Sequence, residues 1–188
     1  MDGLYVRVRI KDSMKTISDK ITELGGELGP PASADDIAQL EARLGFSLPK
    51  GLLELLRCHN GSTKDTDDAM WRFWPCAEIT THSEYRGKAD FIPDNNHLRL
   101  LDSSSSRVSL SGRNLILFAD SLIDLPTYGL FHSPGHRWHG AVFDASNGYL
   151  SARNWDEWVA TFIERGEDGL LFLETPKEPE QDVHGNTH

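Results

Sequence analysis

Cysteine is nearly absent from this chain: Cys58 and Cys76 are the only two in 188 residues. Two thiols do not build a disulfide framework, so a core must hold the fold, and reduced thiols in a cytoplasmic protein are expected. No apolar run approaches the roughly 20 residues that span a bilayer, so no membrane segment is expected. The N-terminus shows no apolar stretch of the secretory-signal kind. Positive charge is scarce: 19 Lys and Arg face 29 Asp and Glu, a formal net charge of -10. Phosphate neutralisation drives nucleic-acid binding, so this balance argues against DNA or RNA as a partner. It argues equally against anionic membrane surfaces. It suits a basic protein partner, because opposite fields speed encounter, and it also suits solubility alone. A Gly-rich phosphate loop, a dinucleotide fingerprint and a G-x-S-x-G elbow are all missing, and there are no internal repeats.

What is present suffices for a core. The length fits one domain, or one domain with tails, and 38% hydrophobic residues include five Trp and eight Phe. The most informative stretch is Ser33–Gly61, SADDIAQLEARLGFSLPKGLLELLRCHNG. Ser33 is placed to cap a helix, with Asp36 three residues on, where a carboxylate favours a helix N-terminus. Ile37, Leu40 and Leu44 share one face at helical spacing, and Gly45 follows where a left-handed stop is wanted. Pro49 opens a second helix, whose apolar face is Leu52, Leu53, Leu55 and Leu56, and Asn60-Gly61 ends it. Both helices are too short to stand alone and must pack on something else.

This run resembles the signature of the SUKH superfamily, whose best-known branch is the Smi/Knr family of the fungal cell-wall assembly regulator. The matching positions are Glu41, Leu44, Gly45, Leu48, Pro49, Leu52, Leu55, Leu56, Asn60 and Gly61. Leu52 and Leu55 stand where aromatics are frequent, and His59 where Tyr is frequent. Downstream, Trp71–Ile79 is similar to the family's strand after the Asn-Gly loop, Asn114–Asp120 to its central strand, and Gly140–Phe162 to its last strands and closing helix. The resemblance covers roughly Ile17–Phe172. It implies a single α+β domain, with a mostly antiparallel central sheet flanked by helices. It also implies function: bacterial members are commonly immunity proteins that bind a cognate toxin domain, often a nuclease or deaminase, and neutralise it stoichiometrically. The alternative it leaves open is a regulatory interaction module with a non-toxin partner, as in the eukaryotic branch.

Along the chain, Leu4–Ile10 alternates apolar and basic residues as a half-exposed strand does. Met14 is a candidate natural start, which makes residues 1–13 an N-terminal extension. An amphipathic helix beginning at Met14 follows, with Ile17, Ile21 and Leu24 on one face. The domain is expected over residues 14–174. Residues 175–188, polar and Pro-interrupted, are expected to be a disordered tail. Ser62–Ala69 reads as a polar loop, and Ser103–Ser111 as a hairpin or a mobile lobe. Asn147-Gly148 is a two-residue hairpin signal. Asn154 and Glu157 make a capping-box-like pair for a last helix, whose core stripe is Trp155, Trp158, Val159, Phe162 and Ile163.

Candidate chemistry is thin. His132, His136 and His139 lie close together, as zinc ligands can. Their Ser-Pro-Gly segment reads as a loop, unlike the helical H-E-x-x-H pattern, and no carboxylate sits within it, so no metal or cofactor is expected. Cys58 and His59 are neighbours on a helix and point apart. Ser133, His136 and Asp144 lack the turn a hydrolase nucleophile needs. The reading is therefore not an enzyme. The partner-binding candidates are Asp65, Asp67, Asp68 and Glu84, with Asp120 and Asp124 after the central strand. Trp71 joins them as a possible aromatic anchor, though burial is the stronger expectation for it.

Overall fold

The signature helices begin with their caps. Helix α1 spans Ile10–Glu23, α2 Ala34–Leu44 and α3 Lys50–Cys58. The computed structural model describes residues 10–63, 71–88, 97–101, 107–121 and 126–166. The expected strand at Leu4–Ile10 lies outside these except for Ile10, which opens α1 instead. The 175–188 tail lies outside them too. At the start of α2, Ser33 Oγ accepts from Asp36 N at 3.1 Å while Asp36 Oδ2 accepts from Ser33 N at 3.1 Å. These reciprocal bonds form a full capping box. The Ser33 hydroxyl, then its backbone N–H, hold the Asp36 carboxyl below the usual range.

Gly45 ends α2 at φ 79°, with its N–H on the Glu41 carbonyl. Glu41 also turns its carboxylate to the next loop, where Oε1 accepts from Leu48 N at 2.7 Å. Pro49 stands immediately before α3 as its N-cap rather than as its first residue. The residues after α3 are tied down on both sides. Asn60 N donates to Pro30 O, and Asn60 Oδ1 accepts from Cys76 N at 2.8 Å. Gly61 has φ 73°, and a Cβ there would stand 2.4 Å from Pro75 N, so only glycine fits. Asn60→Ala should therefore strand the Cys76 N–H and lower stability by about 1–3 kcal/mol. Urea unfolding at unchanged m-value is the measurement.

Among the described residues the sheet has eight strands: β1 Trp71–Phe73, β2 Thr80–Thr81, β3 His97–Leu101, β4 Arg107–Ser111, β5 Leu115–Ser121, β6 Thr127–Phe131, β7 Val142–Asp144 and β8 Tyr149–Ala152. Their order is β1-β5-β6-β7-β8-β3-β4, and β2 also pairs with β5. All pairings are antiparallel except β3 with β8. Helix α4, His82–Lys88, follows β2, and α5, Trp155–Arg165, closes the described fold. The α+β class and the mostly antiparallel sheet agree with the sequence expectation.

Three details differ from it. The strand expected over Trp71–Ile79 stops at Phe73 and a second begins only at Thr80, because Pro75 cannot donate to a ladder and its carbonyl instead accepts from Glu78 N and Ile79 N in a turn. The hairpin at Asn147-Gly148 exists, but its loop is four residues long. Asp144 Oδ1 accepts from the backbone of Ser146 and Asn147, which builds the turn, and Gly148 closes it at φ 77°. Leu44 is only half-buried, although it packs on the core. Of the two readings of Ser103–Ser111, β4 paired with β3 favours the hairpin.

The core is aromatic. Trp158, fully buried on α5, has ring centroids within 6.1 Å of Trp71, Phe73, Phe118, Tyr128, Trp155 and Phe162. Ile17 and Ile21 of α1, fully buried, and Leu40, Leu52, Leu55 and Leu56 of α2 and α3 extend it. The burial predicted for Trp155, Trp158 and Phe162 is met.

Candidate functional site

Packing α3 and α5 over one end of the sheet leaves an open groove of about 570 Å³ between them. Its first wall is the signature loop and the start of α3: Leu48, Pro49, Lys50 and Glu54. Its second is the N-terminus of α5, with Asn154, Trp155 and Asp156. Its third is Leu130 on β6 with His132 and His139 beyond it. The Trp155 indole lies against the α3 backbone, where a Cβ on Gly51 would come within 2.3 Å of the ring. Glycine at this position lets the two helices approach and sets the groove floor.

Electrostatically the groove is mixed. Lys50, with its side chain 76% exposed, reaches Glu54 at 3.9 Å, a weak surface pair. Asp156 adds a second carboxylate to the lining. Asn154 Oδ1 caps α5 by accepting from Glu157 N at 2.9 Å, and Glu157 Oε2 accepts from Arg153 N.

The histidine loop is held on β6 by backbone bonds, among them Gly140 N to Phe131 O at 2.8 Å, and by two of its own imidazoles. Ser133 N donates to His139 Nδ1 at 3.2 Å, and Trp138 N donates to His136 Nδ1 at 3.2 Å. His136 also stacks edgewise on Phe131 at 5.1 Å. His132 lies between Phe46 at 4.9 Å and His139 at 5.1 Å, ring centroid to ring centroid. Its Nδ1 is buried without a hydrogen-bond partner among the described residues. Burial, and then His139, hold the His132 imidazole below the ordinary range. A neutral ring that accepts at Nδ1 carries its proton on Nε2. His136 and His139 therefore spend their lone pairs on the backbone, which suits a loop brace rather than a metal shell.

The other catalytic constellations read from the sequence are not assembled. Asp144 is buried and committed to its hairpin, accepting from Ser146 N, Asn147 N and Asn147 Nδ2. His59 Nδ1 faces the Gly29 carbonyl at 3.3 Å rather than Cys58.

The partner-binding candidates separate into three groups. Asp120 is corrected as a partner contact, and Trp71 takes the burial that was the stronger expectation for it: they are 3% and 1% exposed, and neither can meet a partner. Trp71 lies in the core because β1 turns it toward α5, where it meets Phe162 at 4.8 Å. Asp120 lies opposite Arg72 in the β1–β5 ladder. Its Oδ2 accepts from Arg72 Nη2 at 3.1 Å and Nε at 3.3 Å, and from the Trp74 indole N–H. Arg72 also reaches Glu78 at 2.9 Å. Glu84 is exposed at the start of α4, where its carboxylate accepts from Thr80 Oγ1 at 2.6 Å. Asp65, Asp67, Asp68 and Asp124 lie outside the described residues.

The groove residues Lys50, Glu54 and Asp156 were not singled out in the sequence. Leu48, Pro49, His132, His139, Asn154 and Trp155 were, each for another reason, and nothing local announced that α5 would come to lie beside α3.

Among the described residues, no helix is long and apolar enough to cross a membrane. The model of the SMI1 / KNR4 family (SUKH-1) matches residues 31–161, well over half of the chain. No curated protein matches the chain.

Proposed function

The chain belongs to the SMI1 / KNR4 family (SUKH-1), and from that premise we propose that it is an immunity protein that neutralises a cognate toxin domain by stoichiometric binding. The observation that carries the reading is the family match, which runs through every wall of the groove from the signature helices to α5. Membership supports a protein-interaction role in general. The toxin partner is the finer step, and the acidic balance of the chain supports it.

In this reading the domain acts in the cytoplasm as a rigid plug without catalysis of its own. The groove between α3 and α5 supplies an apolar seat at Leu48, Pro49 and Trp155. The acidic residues Asp65, Asp67, Asp68, Glu84 and Asp124 steer a basic partner of nuclease or deaminase type toward it. Anchors in the groove set the dissociation rate, and exposed charges set the association rate.

The test is binding kinetics against the toxin domain encoded beside this protein, with survival of toxin-expressing cells as the biological readout. Lys at positions 65, 67 and 68 in place of Asp should slow association about tenfold at low salt while leaving the fold intact. The difference should shrink as the Debye length falls to about 8 Å at physiological ionic strength. An association rate indifferent to both salt and the reversal removes the steering role. Absence of binding and of rescue removes the immunity reading and puts the regulatory module with a non-toxin partner ahead.

A further inference from the structure

We propose that the loop from His132 to Gly140 is an acid-sensitive wall of the groove, closed while its three imidazoles are neutral and released when they take up protons. This regulatory role rests on the reading of the groove as the docking surface. The geometry of each ring supplies the argument. Nδ1 of His139 accepts the Ser133 N–H, and Nδ1 of His136 accepts the Trp138 N–H. An imidazolium has no acceptor, since both of its nitrogens donate. Protonating either ring therefore sets an N–H against an N–H and removes a bond that holds the loop. His132 adds a third contribution of different origin. Its buried Nδ1 has no partner among the described residues to share a positive charge, and it lies between the Phe46 ring and His139.

Among the described residues, the charges that face the loop are of both signs. Lys50 on α3 lines the same groove and repels a second cation. Glu54 on α3 and Asp156 on α5 are the carboxylates of the lining, and Glu54 already faces Lys50. Arg137, within the loop, stacks over Trp138 at 4.9 Å. Neither burial nor His139 favours a charge on His132.

The direction follows by linkage. The His132 imidazole is held below its ordinary value of 6.5, so the unfolded loop binds protons more readily than the closed one. Its contribution to closure is complete above that ordinary value. It is lost as pH falls through 6.5 toward the lowered value in the closed loop. The wall is thus closed at neutral pH and loosened in mild acid, which is the range where imidazoles switch.

The experiment is amide hydrogen exchange by NMR on the full chain, corrected for intrinsic rates, at about pH 7.5 and about pH 5.5, either side of the ordinary imidazole range. Protection of the Ser133 and Trp138 amides should fall roughly tenfold or more in acid, the size of effect expected when a hydrogen bond that holds the loop is lost. Protection in α5 should hold. In the triple variant His132→Phe, His136→Asn, His139→Asn, the Asn oxygens can accept in place of Nδ1 and do not titrate. Protection of the same amides should then no longer depend on pH. The parent comparison stands alone if that variant folds poorly. Unchanged protection of Ser133 and Trp138 in the parent, or an equal loss in a folded triple variant, overturns the inference. Because the readout involves no partner, that result is distinct from a failure of the docking surface, which appears as no binding at any pH.

Discussion

Trp158→Ala is expected to lower stability by about 3–5 kcal/mol, as large-to-small truncations of buried aromatics do. At about 2–4 °C per kcal/mol for a chain of this size, the melting temperature should fall by roughly 6–20 °C. The upper end is the better expectation. Trp158 is fully buried, and its ring lies parallel to Phe162 at 5.6 Å and edge-on to Phe118 at 5.1 Å. Rigid rings from β1, β5, β6 and α5 surround it, so the site cannot collapse to fill the space. Trp158→Phe separates volume from polarity. The indole Nε1 has no hydrogen-bond partner among the described residues, so losing it removes an unmet donor and offsets part of the lost packing. The Phe variant should therefore retain well over half of the stability that the Ala variant loses. Equal melting of Trp158→Ala and the parent would show that α5 does not pack as described.

The second large effect is expected at Arg72. Arg72→Leu leaves the Asp120 carboxylate, whose side chain is 4% exposed, with the Trp74 indole N–H and no cation. Removing one member of such a pair is more harmful than removing both, because the remaining charge is left desolvated. A loss of about 3–5 kcal/mol is expected for the single variant. Asn at position 120 can still accept from Trp74 and carries no charge. The double variant Arg72→Leu, Asp120→Asn should therefore recover at least half of that loss. A double-mutant cycle in urea measures it. Additive losses in the double variant would mean that the pair does not act as a unit.

The second prediction concerns residues whose roles the sequence left open or misplaced. Trp71 and Trp74 flank Arg72, and alternation alone does not say which of them faces a partner. Pairing β1 with β5 in the register Arg72↔Asp120 resolves it. Asp120 then becomes an internal counter-ion and Trp71 a core ring. An acidic residue at the end of a hydrophobic strand has the same local appearance whether it points to solvent or to an arginine 48 residues away in the chain. Exposure is a property of the fold, so the candidates that depended on it were the ones that moved.

The elements with strong local causes were legible. Ser33 with Asp36, Gly45, and Asn154 with Glu157 act within a few residues, through caps and a left-handed turn whose chemistry does not depend on distant packing. Helical periodicity placed Leu40, Leu52, Leu55, Leu56, Trp158 and Phe162 in the core for the same reason, since an amphipathic face has one place to go. The α+β class and the family followed from these pieces. Tertiary structure decided everything that joins residues far apart in the chain. It paired Arg72 with Asp120 across β1 and β5, set Gly51 against Trp155 to make a groove, and seated His132 between Phe46 and His139. Those contacts arise from the order of strands in the sheet and from the way α5 packs on α3. No local propensity encodes either, because each is chosen by the burial of the whole core at once.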